Sequence, residues 1–184
     1  MADLKSGFNP LFLREEDLRE GMELLFFAYR DFLAEADEVL ARHKLGRAHH
    51  RSLYFIGRHA GISVSELLKL LRITKQSLSR VLGDLAAMEL IDQAPGLRDR
   101  RRRHLSLTPK GMEIERALTE SQRACLARAY RQVGAEAVDG FRKVLLGVIG
   151  EDDRRIFNAN ATDQSDTPDP HANPGAARLR PERD

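Results

Sequence analysis

Apolar residues recur at three- and four-residue steps over long stretches of the chain, and this spacing predicts amphipathic helices. The longest stripe predicts a first helix over about 14–43, which ends near Gly46. The apolar positions of this stripe are Met22, Leu25, Phe26, Tyr29, Phe32, Leu33, Ala36, Val39 and Leu40. Because the stripe is long for a chain of 184 residues, we expect part of it to face another subunit rather than the protein's own core.

Shorter helical patterns follow the first helix. A second helix is predicted over His49–His59, with Leu53 and Ile56 directed inward. The run Ser63-Val64-Ser65-Glu66 has the spacing of a capping box, in which serine and glutamate side chains satisfy free backbone N–H groups, and it predicts the start of a third helix. Thr74 is a good N-cap for a fourth helix. The buried stripe of that helix is predicted to be Leu78, Val81, Leu82, Leu85 and Met88.

The pattern changes from helical to alternating after the fourth helix. Pro95-Gly96 marks a turn, and His104–Leu107 alternates as a strand does. We interpret this segment as a two-stranded β-hairpin. Its tip carries the charged run Arg98-Asp99-Arg100-Arg101-Arg102-Arg103.

The C-terminal part of the chain returns to a helical pattern before it loses all periodicity. Thr108-Pro109 opens a helix, with threonine as N-cap and proline at the first helical position. A last helix is predicted over about 135–150. Residues 158–184 hold four of the seven prolines and no aromatic residue, so we expect this tail to be disordered.

Charge and cysteine content narrow the function classes. The formal net charge is only +2, so any argument for nucleic-acid binding depends on where the charge lies. Cys125 is the only cysteine, which excludes an intramolecular disulfide and a Cys-x-x-Cys metal motif. The N-terminus lacks the apolar core of a signal peptide, and no apolar run approaches the roughly 20 residues that span a bilayer. We expect a cytoplasmic protein with no membrane partner.

The predicted order of helix, capped helix, polar-faced helix and basic hairpin is typical of a winged helix-turn-helix. The second helix of such a motif lies in the DNA major groove, where its N-terminal residues meet base edges. Five arginines beside Asp99 would release counterions along a phosphate backbone, and Asp99 is suited to orient one of them by a bidentate pair. The candidate DNA-binding residues are Thr74, Lys75, Gln76, Ser77, Ser79, Arg80, Arg98, Asp99, Arg100 and Arg101.

Three segments together resemble the MarR family of bacterial transcriptional regulators over roughly residues 18–150. They are Ile73–Arg80, Asp99-Arg100-Arg101 and Leu107-Thr108-Pro109-Lys110-Gly111. The run Phe12–Arg19 also resembles the PetP-type branch of this family. The resemblance implies a homodimer held by its N- and C-terminal helices, and it implies that Arg101 enters the minor groove with Asp99 as its support. Many members of the family release DNA when a small effector binds, although this sequence shows no distinctive effector pocket.

The predicted fold class is mainly α with a small β-hairpin: a winged helix-turn-helix domain with N- and C-terminal helices that form a dimerisation region. The predicted divisions are an N-terminal arm (1–13), a dimerisation helix (14–47), the DNA-binding region (48–108), C-terminal dimerisation helices (109–150) and a disordered tail (158–184). The expected partners are double-stranded DNA, at a pseudo-palindromic operator, and a second copy of the chain.

Two alternatives remain open at this point. The basic hairpin of a winged-helix interaction module would dock on an acidic protein, and a redox sensor would use Cys125, for which a small buried residue is the competing interpretation. His43, His49, His50 and His59 lack a companion ligand at convincing spacing, so we expect hydrogen-bonded histidines rather than a metal site. The sequence contains no Gly-rich phosphate loop, nucleophile elbow or His-Glu-x-x-His motif. We therefore expect no enzyme and no cofactor.

Overall fold

The computed structural model describes residues 14–95, 103–155 and 157. Its elements follow the chain as α1 (Glu15–Arg42), α2 (Arg47–Arg58), β1 (Ile62–Ser63), α3 (Val64–Leu71), α4 (Lys75–Ala87), β2 (Ile91–Pro95), β3 (Arg103–Leu107) and α5 (Pro109–Val148). The chain divides into two compact units, of which the second begins at Gly134. Within the part of the chain that the structure describes, no helix is long and apolar enough to cross a membrane. The prediction of a mainly α fold with a small β-hairpin is confirmed.

The long stripe of α1 divides into a buried half and an exposed half. Leu33, Ala36 and Leu40 are buried in the core of the first unit. Earlier on the same stripe, Met22 is 72% exposed and Tyr29 is 56% exposed. The core therefore covers only the C-terminal half of α1, as the excess length of the stripe predicted.

The core of the first unit lies between the helices and the sheet. Most of its fully buried side chains come from α2, α3, α4 and β3, and α2 packs against the other three elements. These side chains include Leu53, Ile56, Leu67, Leu78, Leu85 and Leu105. Each belongs to an apolar stripe at helical or strand spacing, so hydrophobic periodicity is what sets the helices in place.

The sheet has three antiparallel strands in the order β1-β3-β2. In register, Ile62 pairs with Leu105, and Pro95 pairs with Arg103. The two strands of the predicted hairpin are confirmed. The prediction that its turn begins at Pro95 is wrong, because Pro95 is the last residue of β2. Pro95 ends an edge strand, a place in a sheet where proline is tolerated.

The first turn of α5 is fastened to the end of α4. The Thr108 hydroxyl accepts from the Gly111 N–H at 3.0 Å, as expected of an N-cap, and donates to the Glu89 carbonyl at 2.7 Å. Lys110 Nζ donates to the Met88 carbonyl at 2.9 Å. A Cβ added at Gly111 would lie 1.9 Å from the Leu90 carbonyl oxygen. The two backbones approach so closely that only glycine fits.

The second unit begins where the path of α5 is interrupted. Gly134 has φ +79°, a conformation that residues with a side chain rarely adopt. Residues 135–148 then continue as helix, and residues 151–155 are helical again. Arg154 Nη2 donates to the Ile149 carbonyl at 3.1 Å, close to the point where α5 ends. The predicted arm (1–13) and tail (158–184) lie outside the described residues.

Candidate nucleic-acid interface

The start of α4 is fixed by a local cap. The Thr74 hydroxyl accepts from the Ser77 N–H at 3.1 Å and donates to Ser77 Oγ at 2.8 Å. This bond satisfies one of the N–H groups that every helix start leaves without a partner. Thr74 and Ser77 therefore have a structural task in addition to any contact with a ligand.

Four of the candidate residues come together on one exposed face of α4. Lys75, Gln76, Ser79 and Arg80 line a shallow, open depression, and we call these four residues the α4 polar face. The opposite side of the helix buries Leu78, Val81, Leu82 and Leu85 in the core. Because the apolar side holds the helix against the domain, the polar face is left open to solvent over the N-terminal half of α4.

The electrostatic character of this end of α4 suits an anion. The first turn contains no acidic residue, and a helix N-terminus carries a partial positive charge. Lys75 and Arg80 add two cations, and both are exposed. Hydroxyl and amide groups on Ser79 and Gln76 can hydrogen bond with phosphates or base edges.

The remaining candidates belong to the hairpin tip. Arg98, Asp99, Arg100 and Arg101 fall within 96–102, outside the described residues. The strands on both sides of this segment are described, and the last ladder pair joins Pro95 with Arg103. Arg103 is exposed, and its guanidinium lies 3.4 Å from Gln93 Oε1 on β2.

Sequence reasoning missed one contact beside the α4 polar face. His49 Nε2 on α2 lies 3.2 Å from Asp84 Oδ2 on α4, and His49 Nδ1 accepts from the Gly46 N–H at 3.0 Å. The expectation of a hydrogen-bonded histidine is thus confirmed for His49, but its partner was not predicted. The one sequence signal for Asp84 is its position four residues after Arg80, where side chains share a helix face.

Other titratable groups of interest belong to α1, α2 and α5 rather than to α4. Arg47 forms a two-point pair with Asp37 at 2.6 and 3.1 Å, and this guanidinium lowers the pKa of the Asp37 carboxyl. Burial lowers the pKa of His50, against the opposing charges of Glu115 and Asp37. Cys125 is a free, half-buried thiol. Among residues 14–95, 103–155 and 157, no group of three or more His, Cys, Asp or Glu side chains is arranged to hold a metal ion.

Comparison with known sequences gives consistent matches. A model of the MarR family matches residues 43–102. The chain is 49% identical over 159 residues to the HTH-type transcriptional regulator PetP of Rhodobacter capsulatus, an alignment that covers 85% of this chain and 96% of that protein. An uncharacterised HTH-type transcriptional regulator of Staphylococcus aureus is 30% identical over 86 residues, which cover 47% of this chain and 59% of that protein.

Solved structures share the fold at lower sequence identity. The crystal structure of a MarR family transcription regulator superposes with a TM-score of 0.62 and 20% identity, covering 80% of this chain and 95% of that one. The reduced form of MarR from E. coli gives a TM-score of 0.55 and 22% identity, covering 70% of this chain and 95% of that one. At this level of identity the likeness concerns the fold alone.

Proposed function

The chain belongs to the MarR family of HTH-type transcriptional regulators, and from this premise we propose that it binds a pseudo-palindromic DNA operator as a homodimer. The observation that carries the proposal is the α4 polar face, which is cationic, exposed and free of acidic residues in the first turn of the helix. A helix of this kind fits the major groove, where its first residues meet base edges. Two such helices in one dimer would reach half-sites about one helical turn apart.

The α4 polar face and the hairpin tip have different roles in the proposed DNA binding. Lys75 and Arg80 contact phosphates, and Gln76 reads base edges. The hairpin tip adds Arg98, Arg100 and Arg101 against the phosphates and the minor groove, and Asp99 orients Arg101. Support for the tip comes from the run of arginines and from the described strands that lead into and out of it.

A second copy of the chain is the proposed occupant of the exposed half of α1. Single exposed apolar residues are ordinary, whereas a large contiguous apolar surface marks an interaction site. Met22, Leu25, Phe26 and Tyr29 lie within two turns of one helix and are each at least 50% exposed. We expect sedimentation equilibrium to give the mass of a dimer, and Tyr29→Glu with Met22→Glu to shift it toward the monomer.

Under this proposal the protein regulates transcription and catalyses no reaction. It acts in the cytoplasm, where the DNA of a bacterium lies. It needs no metal, cofactor or redox reaction at Cys125. Family membership supports it, because the named relative is a transcriptional regulator. A small effector is compatible with the proposal, but none is assigned.

The test is recovery of bound fragments from sheared genomic DNA by the purified full-length protein, followed by titration of the most enriched fragment. We expect the affinity to fall steeply as salt rises, because phosphate contacts release counterions. Arg80→Ala should weaken binding to every duplex, and it should make the slope of log K against log salt concentration less steep by about one per protomer. Gln76→Ala should instead mainly reduce the preference for particular bases. Arg123→Ala is the control, because it removes another exposed cation, one that lies on α5 and not on the α4 polar face. Failure of the wild type to bind DNA in a salt-dependent manner would refute the proposal.

A further inference from the structure

Asp84 lies one helical turn beyond Arg80 on α4, and residues four apart on a helix share a face. Opposite charges at this spacing attract, and an ion pair would neutralise a guanidinium that the proposed function assigns to DNA. Nevertheless, Arg80 forms no ion pair with any residue of the described ranges. The Asp84 carboxylate instead has its partner on α2, where His49 Nε2 lies 3.2 Å from Oδ2.

The hydrogen bonds of His49 define its state. Its Nδ1 accepts from the Gly46 N–H at 3.0 Å, so this nitrogen carries no proton. The neutral ring therefore has its proton on Nε2 and donates it to Asp84. The imidazole is held at both nitrogens and is only 17% exposed, whereas the Asp84 side chain is 54% exposed. A rigid, mostly buried donor thus holds a carboxylate that would otherwise move freely in solvent.

We propose that His49 is a positioning residue for DNA binding: it holds the Asp84 carboxylate toward α2 and thereby leaves the Arg80 guanidinium free for a phosphate. The inference rests on the proposed function. Without His49, Asp84 would pair with Arg80, which cancels one cation and directs a carboxylate toward the DNA. The effect of His49 on DNA binding depends on the Asp84 carboxylate. The second role of His49, which is to cap α2 by accepting from the Gly46 N–H, does not depend on Asp84.

The test is a double-mutant cycle of His49→Ala and Asp84→Asn in the full-length protein. Two fluorescein-labelled duplexes serve as probes, the fragment enriched from genomic DNA and a shuffled sequence of the same length, and anisotropy is measured over a range of salt concentrations. We expect His49→Ala to weaken binding to both duplexes by roughly three- to tenfold and to lower the salt dependence, as loss of a phosphate contact does. Asp84→Asn should bind at least as tightly as the wild type.

The double variant separates positioning from capping. Its DNA affinity should return to that of Asp84→Asn, because no carboxylate remains to occupy Arg80. Its melting temperature should stay as low as that of His49→Ala, because the Gly46 N–H still lacks its acceptor. Unchanged DNA affinity in His49→Ala would overturn the positioning role of His49, and so would a double variant that binds as weakly as His49→Ala. Salt-dependent DNA binding by the wild type would in either case leave the proposed function standing. A wild type without salt-dependent binding would overturn both.

Discussion

Replacing Gly111 by alanine should be among the most destabilising single changes that the first unit can undergo. The added Cβ would lie 1.9 Å from the Leu90 carbonyl oxygen, and real Cβ atoms essentially never approach other heavy atoms within 3.0 Å. The atom in the way is backbone, so no side-chain rotation relieves the overlap. The start of α5 must move by about 1 Å relative to the end of α4.

That movement disrupts the hydrogen bonds which join the two helices. The Thr108 N–H donates to the Leu90 carbonyl at 3.1 Å, and the Thr108 hydroxyl and Lys110 reach the Glu89 and Met88 carbonyls. Each bond contributes about 1 kcal/mol, and the strain of overpacking adds about 1–3 kcal/mol. The better helix propensity of alanine offsets at most about 1 kcal/mol. We expect Gly111→Ala to lower the free energy of unfolding by about 3–5 kcal/mol.

Thermal unfolding followed by circular dichroism at 222 nm measures this loss, which should lower Tm by roughly 10 °C for a unit of this size. Gly83→Ala is the matched control, because nothing lies within 4 Å of a Cβ added at this exposed helical position. It should raise stability by about 0.5–1 kcal/mol. A Gly111→Ala protein that melts within about 2 °C of the wild type would refute the assigned role of the close backbone approach.

Three further changes test the core and the ionisable groups of the first unit. Leu53→Ala, at a position with no solvent exposure, should cost about 2–5 kcal/mol in urea unfolding, and a loss below about 1 kcal/mol would contradict its central place in the core. Burial lowers the pKa of His50 below its usual 6.5, so the unfolded chain binds a proton first and stability should fall as the pH drops below 6.5. His50→Gln should flatten that part of the pH profile, and an unchanged slope would argue against it. Arg47→Met should weaken stability at pH 7, and this loss should shrink as the pH falls and Asp37 becomes protonated in both variants. A loss that stays the same at every pH would mean that packing rather than charge is responsible.

Local interactions made much of the fold predictable from the sequence. The capping box of α3 forms between Ser63 and Glu66, with the Glu66 N–H 3.2 Å from Ser63 Oγ. Thr74 caps α4, and the apolar stripe behind it is buried as its spacing indicated, except that Met88, the C-cap, is only half-buried. A cap involves residues three apart, and a stripe depends only on helical periodicity, so both are visible without knowledge of the tertiary structure.

Features that depend on distant residues could not be read in this way. β1 consists of Ile62 and Ser63 alone, and two residues show no alternation, so the strand exists only because β3 pairs with it. The contact of His49 with Asp84 spans 35 positions. The reason for glycine at 111 is the Leu90 carbonyl, which only the folded chain brings near. Sequence patterns thus predict the elements and the face that α4 exposes, but not what fixes its orientation.

The orientation of α4 has several independent supports, and none of them uses the α4 polar face. Leu78, Val81, Leu82 and Leu85 anchor one side in the core, the first turn of α5 holds its C-terminal end, and His49 holds Asp84 on its flank. A helix fixed in this way loses little conformational freedom when it binds, which favours affinity. Substitutions at Gln76 or Ser79 touch none of these supports. Under the proposed function, the DNA sequence that the protein prefers can therefore change through the α4 polar face while the fold, and the direction in which that face points, stay the same.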